Sequence, residues 1–392
     1  MTTRKYFSRA LALLAAIALL ASCATSSYRP GVVCAAAGFS VTDNFEGARR
    51  GKCSILSDDH VAIEIRPESD GYINDSPWYA FKVEPDGADL ARMTLRYFGG
   101  HHRYWPKISD DGLSWYPIED RYVRAADDRL TAEIVVPLEG NAVWIAAHEL
   151  ITPAIYEAWG QKLARSTGFL PDVLGYSKSG LPIQVFDTDD DGRELLLLVG
   201  RQHPPEVSGA FAFHAFTETI LGDSELATRF RERFRIVAIP LLNPDGVVAG
   251  NWRHNLGHTD LNRDWGLFEQ PETVLIGEML DEFDAEGSRI RMFIDFHSTR
   301  KNTFYTQHDE TDPPGFTARW LAKAATRVED YPFDIGNAPS KSPYVAKNYM
   351  YSRYGIPAIT FEAGDETDRY AVRAAARIFA EELMLQMLDQ AY

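Results

Sequence analysis

The hydrophobic and polar positions divide the chain into two parts with different periods. Between residues 39 and 148, apolar and polar residues alternate in short runs such as Val61-Ala62-Ile63-Glu64-Ile65 and Ala132-Glu133-Ile134-Val135-Val136. Turn signals such as Pro85-Asp86-Gly87 separate these runs. Alternation of this kind is typical of strands that bury one face. The pattern therefore predicts an antiparallel β-sandwich over residues 39–148, with its many aromatic residues in the core rather than on a recognition surface.

After residue 148, long apolar runs alternate with segments of helical spacing. Four runs are almost continuously apolar, as in strands buried on both faces: residues 194–199, 235–242, 290–297 and 357–361. Helical spacing predicts helices in five segments: residues 153–167, 271–286, 316–327, 344–354 and 370–388. A further helix is expected to start near Ser208. The alternation predicts an α/β sheet covered by helices on both faces over residues 149–392.

An acidic segment, residues 187–192, lies between two predicted strands, residues 183–186 and 194–199. Its alternating acidic residues resemble the start of a calcium loop. The twelfth position of such a loop requires a bidentate Glu, but here it is Leu198. We therefore predict a tight hairpin turn rather than a calcium site.

The N-terminus has the pattern of a targeting segment. Arg4 and Lys5 precede the apolar residues 11–20, a run too short to span a bilayer comfortably. We therefore expect residues 1–22 to be a signal peptide that takes no part in the fold.

This segment ends in Leu20-Ala21-Ser22-Cys23, which resembles the lipobox of bacterial lipoproteins. The resemblance implies cleavage before Cys23, a lipid on that cysteine, and a tether over residues 23–38. Ala24 follows the cysteine, which by the same resemblance points to the outer membrane, facing the periplasm. An ordinary secretory signal with an incidental cysteine is the alternative.

The composition is that of a globular protein, with 45% hydrophobic and 24% charged residues. The formal net charge of −16 argues against a nucleic-acid partner, which would require a basic surface. Membrane contact is expected through the lipid anchor only, and the oligomeric state stays open. If Cys23 carries lipid, Cys34 and Cys53 remain, either as a disulfide or as two unpaired thiols.

Candidate metal ligands lie where apolar strands end. His203 and Glu206 follow residues 195–199, and His297 ends another apolar run. Open α/β sheets place their chemistry at strand ends, and a catalytic zinc site needs three protein ligands and one open position. The His203–Glu206 pair alone would also fit an ordinary turn. With His297 it indicates a site for one Zn²⁺ ion, although other divalent ions accept the same donors.

Further polar residues lie in the loops after other predicted strands. Arg253, Asn262 and Arg263 follow the strand at residues 235–242, and Glu362 ends the strand at residues 357–361. The fixed fork of an Arg side chain suits a planar carboxylate or a developing oxyanion. A carboxylate at the end of a buried strand is costly without a partner or a role.

These stretches, in this order, resemble the zinc metallocarboxypeptidase family of carboxypeptidase A over roughly residues 157–388. The segment Arg201-Gln202-His203-Pro204-Pro205-Glu206 is most similar to the cytosolic-carboxypeptidase, or deglutamylase, branch, which also has a β-sandwich before its catalytic domain. The resemblance implies a mixed eight-stranded sheet flanked by helices. It implies zinc ligation by His203, Glu206 and His297, a general base at Glu362, a carbonyl-polarising group at Arg253, and a carboxylate site at Asn262 and Arg263.

The resemblance also bears on specificity. Lys347, fifteen residues before Glu362, falls where the family forms the floor of the pocket for the terminal side chain. An ammonium there would select an acidic side chain; the alternative is a solvated helix residue. Tyr344 and Tyr349 are candidates for the family's mobile tyrosine, although neither matches its position cleanly. Pro205 replaces an Arg of carboxypeptidase A, so one subsite contact is lost.

The sequence thus predicts an exported, lipid-anchored zinc carboxypeptidase, a hydrolase that removes an acidic C-terminal residue from peptides with a free terminal carboxylate. One alternative is a murein-peptide amidase or carboxypeptidase acting on diaminopimelate-containing peptides. Another is an aspartoacylase-like deacylase. The last is a non-catalytic zinc-binding envelope lipoprotein, against which Glu362 and Arg253 argue, because a binding protein needs no water-activating base.

Overall fold

The computed structural model of the protein describes residues 34–70, 73–188, 194–307, 311, 313–337 and 341–390. The predicted signal peptide, Cys23, most of the tether and residues 189–192 of the acidic segment lie outside these ranges. Among the described helices, none has the length and apolar character needed to cross a membrane.

Two β-sheets form the N-terminal part of the chain. Their strands are β1 (Cys34–Ala35), β2 (Phe39–Thr42), β3 (Cys53–Ser57), β4 (His60–Ile65), β5 (Ala80–Pro85), β6 (Leu90–Tyr97), β7 (Lys107–Ser109), β8 (Tyr116–Pro117), β9 (Val123–Ala125), β10 (Thr131–Pro137) and β11 (Val143–Ala146). The first sheet has the order β1-β2-β5-β11-β7-β8 and the second the order β3-β4-β6-β10-β9.

Side chains from both sheets share one hydrophobic core, which makes this part a β-sandwich. Val41 and Phe81 of the first sheet and Met93 and Ile134 of the second belong to it. Strands β6 and β10 bury every second residue, because alternate side chains point to opposite faces. The predicted sandwich is confirmed, with one difference: β4 and β6 run parallel, whereas the other described pairs are antiparallel.

A disulfide between Cys34 and Cys53 joins the first strands of the two sheets. Of the two alternatives that the sequence left open for these cysteines, the structure shows the pair. Not every predicted core aromatic is buried: Tyr104 is enclosed, but Tyr116 is exposed on the short edge strand β8.

The second part is an α/β domain built on one mixed sheet. Its strands are β12 (Asp172–Tyr176), β13 (Pro182–Asp187), β14 (Glu194–Gly200), β15 (Phe234–Ile239), β16 (Arg289–Thr299), β17 (Thr303–Thr306), β18 (Asp334–Asn337) and β19 (Ala358–Gly364). Its helices are α1 (Pro153–Thr167), α2 (Val207–Leu221), α3 (Glu225–Arg233), α4 (Pro244–Ala249), α5 (Pro271–Glu286), α6 (Phe316–Ala325), α7 (Ala346–Tyr354) and α8 (Arg369–Leu388).

The eight strands lie in the order β12-β13-β15-β14-β16-β19-β17-β18, which confirms the predicted mixed, eight-stranded sheet. The four central strands β15, β14, β16 and β19 are parallel, so their carboxyl ends meet at one edge. Helices cover both faces. Leu196 and Leu198 of β14 pack towards α2 and α8, while Leu195 and Leu197 pack towards α5 and α7, which explains the continuous apolar run.

The predicted hairpin at residues 187–192 is wrong. Strand β15 lies between β13 and β14 and pairs with both of them, antiparallel to β13 and parallel to β14. The two strands that are consecutive along the chain are therefore not neighbours in the sheet. Local turn residues could not reveal this, because the separating strand comes from 40 residues further on.

Candidate active site

Three buried side chains converge at the carboxyl edge of the central strands. His203 and Glu206 lie in the turn between β14 and α2, and His297 lies near the end of the adjacent strand β16. One donor atom from each lies within 4.8 Å of the others. The Nδ1 atom of His203 is 2.8 Å from Glu206 Oε1, and that of His297 is 2.6 Å from Glu206 Oε2. Two imidazole nitrogens and a carboxylate facing one point fit a single zinc ion.

The turn that carries His203 and Glu206 is fixed by Arg201. This residue has a φ of 53°, an uncommon conformation for a side chain other than glycine. Its buried guanidinium donates from Nε and Nη2 to the Pro204 carbonyl, at 2.9 and 2.7 Å. Hydrogen bonds within the turn, from Arg201 to Pro204, therefore stabilise its conformation without the help of a bound metal.

Helix α2 begins directly against β16, which brings Glu206 to His297. A Cβ atom at Gly209 would lie 2.4 Å from the carbonyl oxygen of His297, so only glycine permits this approach. The backbone N–H of Gly209 also donates to Ser298 Oγ at 2.7 Å.

The far nitrogen of each histidine is held by a carboxylate. His203 Nε2 lies 2.9 Å from Asp260 Oδ1, and His297 Nε2 lies 2.7 Å from Asp295 Oδ2. Such partners fix the orientation of the ring and leave the other nitrogen for a metal. The sequence analysis missed both roles, although Asp295 gave a signal: it is a carboxylate inside the apolar run of β16, and it is fully buried.

The electrostatics of the cluster favour a bound cation. Burial alone would raise the pKa of Glu206, but His203 and His297 outweigh it and hold this pKa well below its usual range. Burial would lower the pKa of His297, but Asp295 and Glu206 outweigh it and hold this pKa well above its usual value. The carboxylates thus stabilise positive charge at this point, as a divalent ion requires.

Arg253, Asn262 and Arg263 line the same cavity, which measures about 210 Å³. The Nε atom of Arg253 donates to Asp260 Oδ2 at 2.7 Å, so Asp260 joins this arginine to His203. Asn262 lies in a short 3-10 turn, with its Nδ2 3.1 Å from His297 Nε2. The side chain of Arg263 is 44% exposed, at the mouth of the site.

Glu362 lies beside His297, because the two residues are paired across β16 and β19. Its Oε2 atom is enclosed and has no hydrogen-bond partner among the described residues. Burial, reinforced by Glu206 and opposed by His297, raises the pKa of Glu362 to about 8. The carboxyl group therefore has an oxygen available for a molecule in the cavity.

The structure places Lys347 in this cavity and not on a solvated face of α7. The residue is 3% exposed, and its Nζ donates to the Thr306 carbonyl at 3.2 Å. No carboxylate of the described residues forms an ion pair with it, and burial lowers its pKa to about 8. Tyr305 and Thr360 line the same cavity.

Neither predicted tyrosine is among the described residues that line the cavity. Tyr344 precedes α7 and is 42% exposed. Tyr349 packs against Trp265 and Phe268, with ring centroids 6.2 and 5.3 Å apart. Of the described tyrosines, Tyr305 lines the cavity; it lies on β17, a strand that the sequence analysis did not predict.

The β-sandwich supplies part of the cavity wall, through Asn74, Ser76 and Arg103. The Nε atom of Arg103 donates to Asp365 Oδ2 at 2.8 Å and its Nη1 to Ser76 Oγ at 3.0 Å. These residues were missed because nothing local in the sequence shows that the two domains meet here.

A larger cavity, of about 840 Å³, lies between α6 and the β17–β18 edge. Its wall is mainly apolar and includes Leu321, Val328 and Phe333. Among the described residues, the only cluster of metal-ligating side chains is the His203, Glu206 and His297 set, so the candidate chemistry lies in the smaller cavity.

Comparison with known proteins shows which family the chain belongs to. The model of the succinylglutamate desuccinylase/aspartoacylase catalytic domain matches residues 192–390, just over half of the chain. Mouse cytosolic carboxypeptidase 3 is 34% identical over 122 residues, which cover 30% of this chain and only 12% of the mouse protein. The chain therefore belongs to the zinc carboxypeptidase-like family that includes this catalytic domain.

Solved structures show that the fold extends over both parts of the chain. A metallo-carboxypeptidase from Burkholderia cenocepacia superimposes with a TM-score of 0.75 at 19% identity, covering 90% of this chain and 100% of that one. A metallo-carboxypeptidase from Pseudomonas aeruginosa, solved with (2-guanidinoethylmercapto)succinic acid, gives a TM-score of 0.72 at 20% identity, covering 88% and 98%. At these identities the likeness shows the shared two-part fold.

Proposed function

We propose that the protein is a zinc-dependent metallocarboxypeptidase that hydrolyses the C-terminal peptide bond of peptides. The observation that carries the proposal is a single cavity that combines a three-donor metal cluster with the free carboxyl oxygen of Glu362 and the guanidinium of Arg253. These are the parts that metal-assisted hydrolysis requires: an ion site, a proton acceptor and a donor for developing negative charge.

His203, Glu206 and His297 would hold the zinc ion, which supplies Lewis acidity and makes water a stronger acid. Glu362 takes a proton from the attacking water and returns it to the leaving amine. Arg253 donates N–H groups to the carbonyl oxygen as that oxygen gains negative charge. Asp260 keeps Arg253 and His203 in a fixed relation, since it contacts both.

Asn262 and Arg263 are the proposed site for the free carboxylate of the substrate. They lie together in one short turn, with Arg263 at the solvent-facing mouth. Binding the terminal carboxylate at this point sets the distance to the metal cluster, so only the last peptide bond of a substrate reaches it.

An acidic terminal residue is the proposed preference. The buried ammonium group of Lys347 has one hydrogen-bond acceptor among the described residues, the Thr306 carbonyl oxygen. A buried charge of this kind is unfavourable without an anion. The hydroxyl-bearing residues Tyr305 and Thr360 lie in the same cavity. A Glu or Asp side chain would provide the missing anion, whereas an apolar side chain would leave the ammonium unpaired.

A panel of peptides that differ only in their last residue tests this function. The zinc-loaded protein from residue 24 onwards should release Glu faster than Phe or Lys, and a chelator or an amidated terminus should stop release. A peptide ending in diaminopimelate tests the murein alternative in the same assay. Faster release of Phe than of Glu would keep the mechanism and remove the role of Lys347. No release from any peptide would contradict the carboxypeptidase proposal.

A deacylase of N-acylated acidic amino acids is the second candidate, because the matching family model describes succinylglutamate desuccinylase and aspartoacylase. The same residues would serve it, since its substrates also have an amide bond beside a carboxylate. N-acetylaspartate and N-succinylglutamate, added to the panel, separate the two functions. Hydrolysis of these compounds without hydrolysis of peptides would select the deacylase.

We also propose that the mature protein is exported and anchored by lipid on Cys23. The support is the Leu20-Ala21-Ser22-Cys23 pattern after the apolar run at residues 11–20. Metabolic labelling with a fatty-acid probe, with Cys23→Ser as the control, tests the anchor. Label on the C23S variant, or none on the natural sequence, would contradict it.

A further inference from the structure

The loop that carries Arg253 is attached to the β-sandwich by one carboxylate. Glu68 follows β4 in the sandwich, and its side chain is 4% exposed. It accepts hydrogen bonds from three successive backbone N–H groups of the α/β domain: Trp252 at 2.7 Å, Arg253 at 3.0 Å and His254 at 2.7 Å. Two carboxylate oxygens thus fix the orientation of consecutive peptide planes on either side of Arg253.

Other contacts already keep this loop against the sandwich. The indole of Trp252 is buried in the sandwich core and donates to the Trp78 carbonyl at 3.1 Å. Arg49 donates to Asn251 Oδ1 at 3.2 Å. Glu68 is therefore not needed to bring the loop to the sandwich. Its contact with the backbone N–H of Arg253 itself is the one that bears on the direction in which the Arg253 side chain leaves the backbone.

The direction of this side chain bears on the metal cluster. The Arg253 guanidinium meets Asp260, and Asp260 meets His203. The chain of contacts from Glu68 to His203 contains no break. We propose that Glu68 is a positioning residue of the active site, so that the sandwich domain takes part in catalysis through Arg253. This inference rests on the proposed hydrolytic function.

The variant Glu68→Gln tests the proposal, because it keeps the size of the side chain but replaces one acceptor oxygen with a donor. We expect kcat to fall by about 10- to 100-fold, the loss associated with a displacement on the order of 1 Å of a catalytic group, while KM and zinc content stay close to those of the unmodified protein. Glu68→Asp keeps the charge and should give an intermediate kcat, which preserves the test if Glu68→Gln folds poorly.

Glu149→Gln is the matched control. Glu149 follows the last sandwich strand and accepts two hydrogen bonds from Arg369 of α8, at 2.8 and 3.0 Å, and neither bond involves the Arg253 loop. It should lower the thermal midpoint and leave kcat unchanged. If both variants lose kcat in proportion to their loss of stability, Glu68 has a structural role only and the proposal fails.

A double-mutant cycle with Arg253→Met shows whether Glu68 affects kcat by positioning Arg253 or independently of Arg253. If Glu68 acts through Arg253, Glu68→Gln should change kcat by less than about twofold in the R253M background. An equal loss in both backgrounds would overturn the proposal.

Amide hydrogen exchange of residues 252–254 gives a readout that needs no substrate. Exchange should be faster in E68Q than in the unmodified protein or E149Q, with and without zinc; unchanged exchange would overturn the proposal. If the unmodified protein hydrolysed none of the substrates, the proposed function would fall, and the exchange result would still decide whether Glu68 orders the loop.

Discussion

Two buried cations in the wall of the cavity differ in what surrounds them. Arg103, from the sandwich, pairs with Asp365 at 2.8 Å and also donates to Ser76. Burial alone would lower the pKa of Arg103, but Tyr104 and Asp365 outweigh it and hold this pKa above its usual value. Lys347, from α7, has a carbonyl contact and a pKa lowered to about 8 by burial. Asp365 balances the charge of Arg103, whereas no carboxylate in the described part of the chain pairs with Lys347.

The largest expected effect comes from Glu362→Gln. Because this variant should bind peptides without hydrolysing them, the contributions of Arg103 and Lys347 to peptide binding can be compared in it. Loss of the proton acceptor should lower kcat by about 10²- to 10⁴-fold, while the metal ligands keep their zinc. Steady-state kinetics and metal analysis on the same sample check this. Loss of zinc together with activity would assign Glu362 to the metal site instead.

Lys347→Met should produce the next largest effect. It removes a cation that has no anionic partner among the described residues, so the ratio of kcat/KM for Glu-terminated over Met-terminated peptides should fall by about 100-fold. Most of the loss should lie in the acidic peptide. Equal losses for both peptides would show that Lys347 supports the fold of the cavity rather than its selectivity.

Raising the pH should weaken the preference for acidic peptides, as Lys347→Met does, but to a smaller extent. The Lys347 side chain is charged below its pKa of about 8 and neutral above it. The preference for a Glu-terminated over a Gln-terminated peptide should therefore be full below pH 8 and fall by about tenfold per unit above it. Lys347→Arg, which stays charged over this range, should remove the decline. A decline that persists in K347R would have another source.

Arg103→Met should have the smallest effect on selectivity. The Glu-to-Phe preference should change by less than about threefold, because Asp365 already neutralises Arg103. The thermal midpoint should fall, since the change leaves a buried carboxylate unpaired, and Asp365→Asn in the same chain should restore part of it. A selectivity loss as large as that of K347M would abolish the distinction between the two cations.

Much of the α/β domain was predictable because its central strands are buried on both faces. Strands β14, β16 and β19 appear in the sequence as continuous apolar runs, and the carboxyl ends of such strands meet at one edge. This is why His203, His297 and Glu362 could be assigned to one site without a structure.

The elements that were missed are short or depend on distant partners. Strands β17 and β18 have four residues each, too few to show a period. Helix α4 is absent from the predicted elements, although Asn243 caps it by accepting the Gly246 N–H and Pro244 is its first residue. An Asn followed by Pro is a local signal for a helix start, so this helix does not depend on distant partners.

The contribution of the sandwich to the cavity could not be predicted. Glu68 and Arg103 come from loops that have no unusual composition, and their partners Arg253 and Asp365 lie 185 and 262 residues further along the chain. Only the docking of two folded domains brings these groups together, and hydrophobic periodicity says nothing about that docking.

The separation of these contacts along the chain also affects when the cavity can form during synthesis and folding. The strands of the sandwich end at Ala146 and can pair while the rest of the chain is still being synthesised, but their shared core is filled only when Trp252 of the α/β domain packs into it. The Arg253 loop lies later in the chain, and Glu362 lies on β19, the last strand in sequence order. The cavity is therefore complete only when both domains have formed and packed against each other, because both supply its wall.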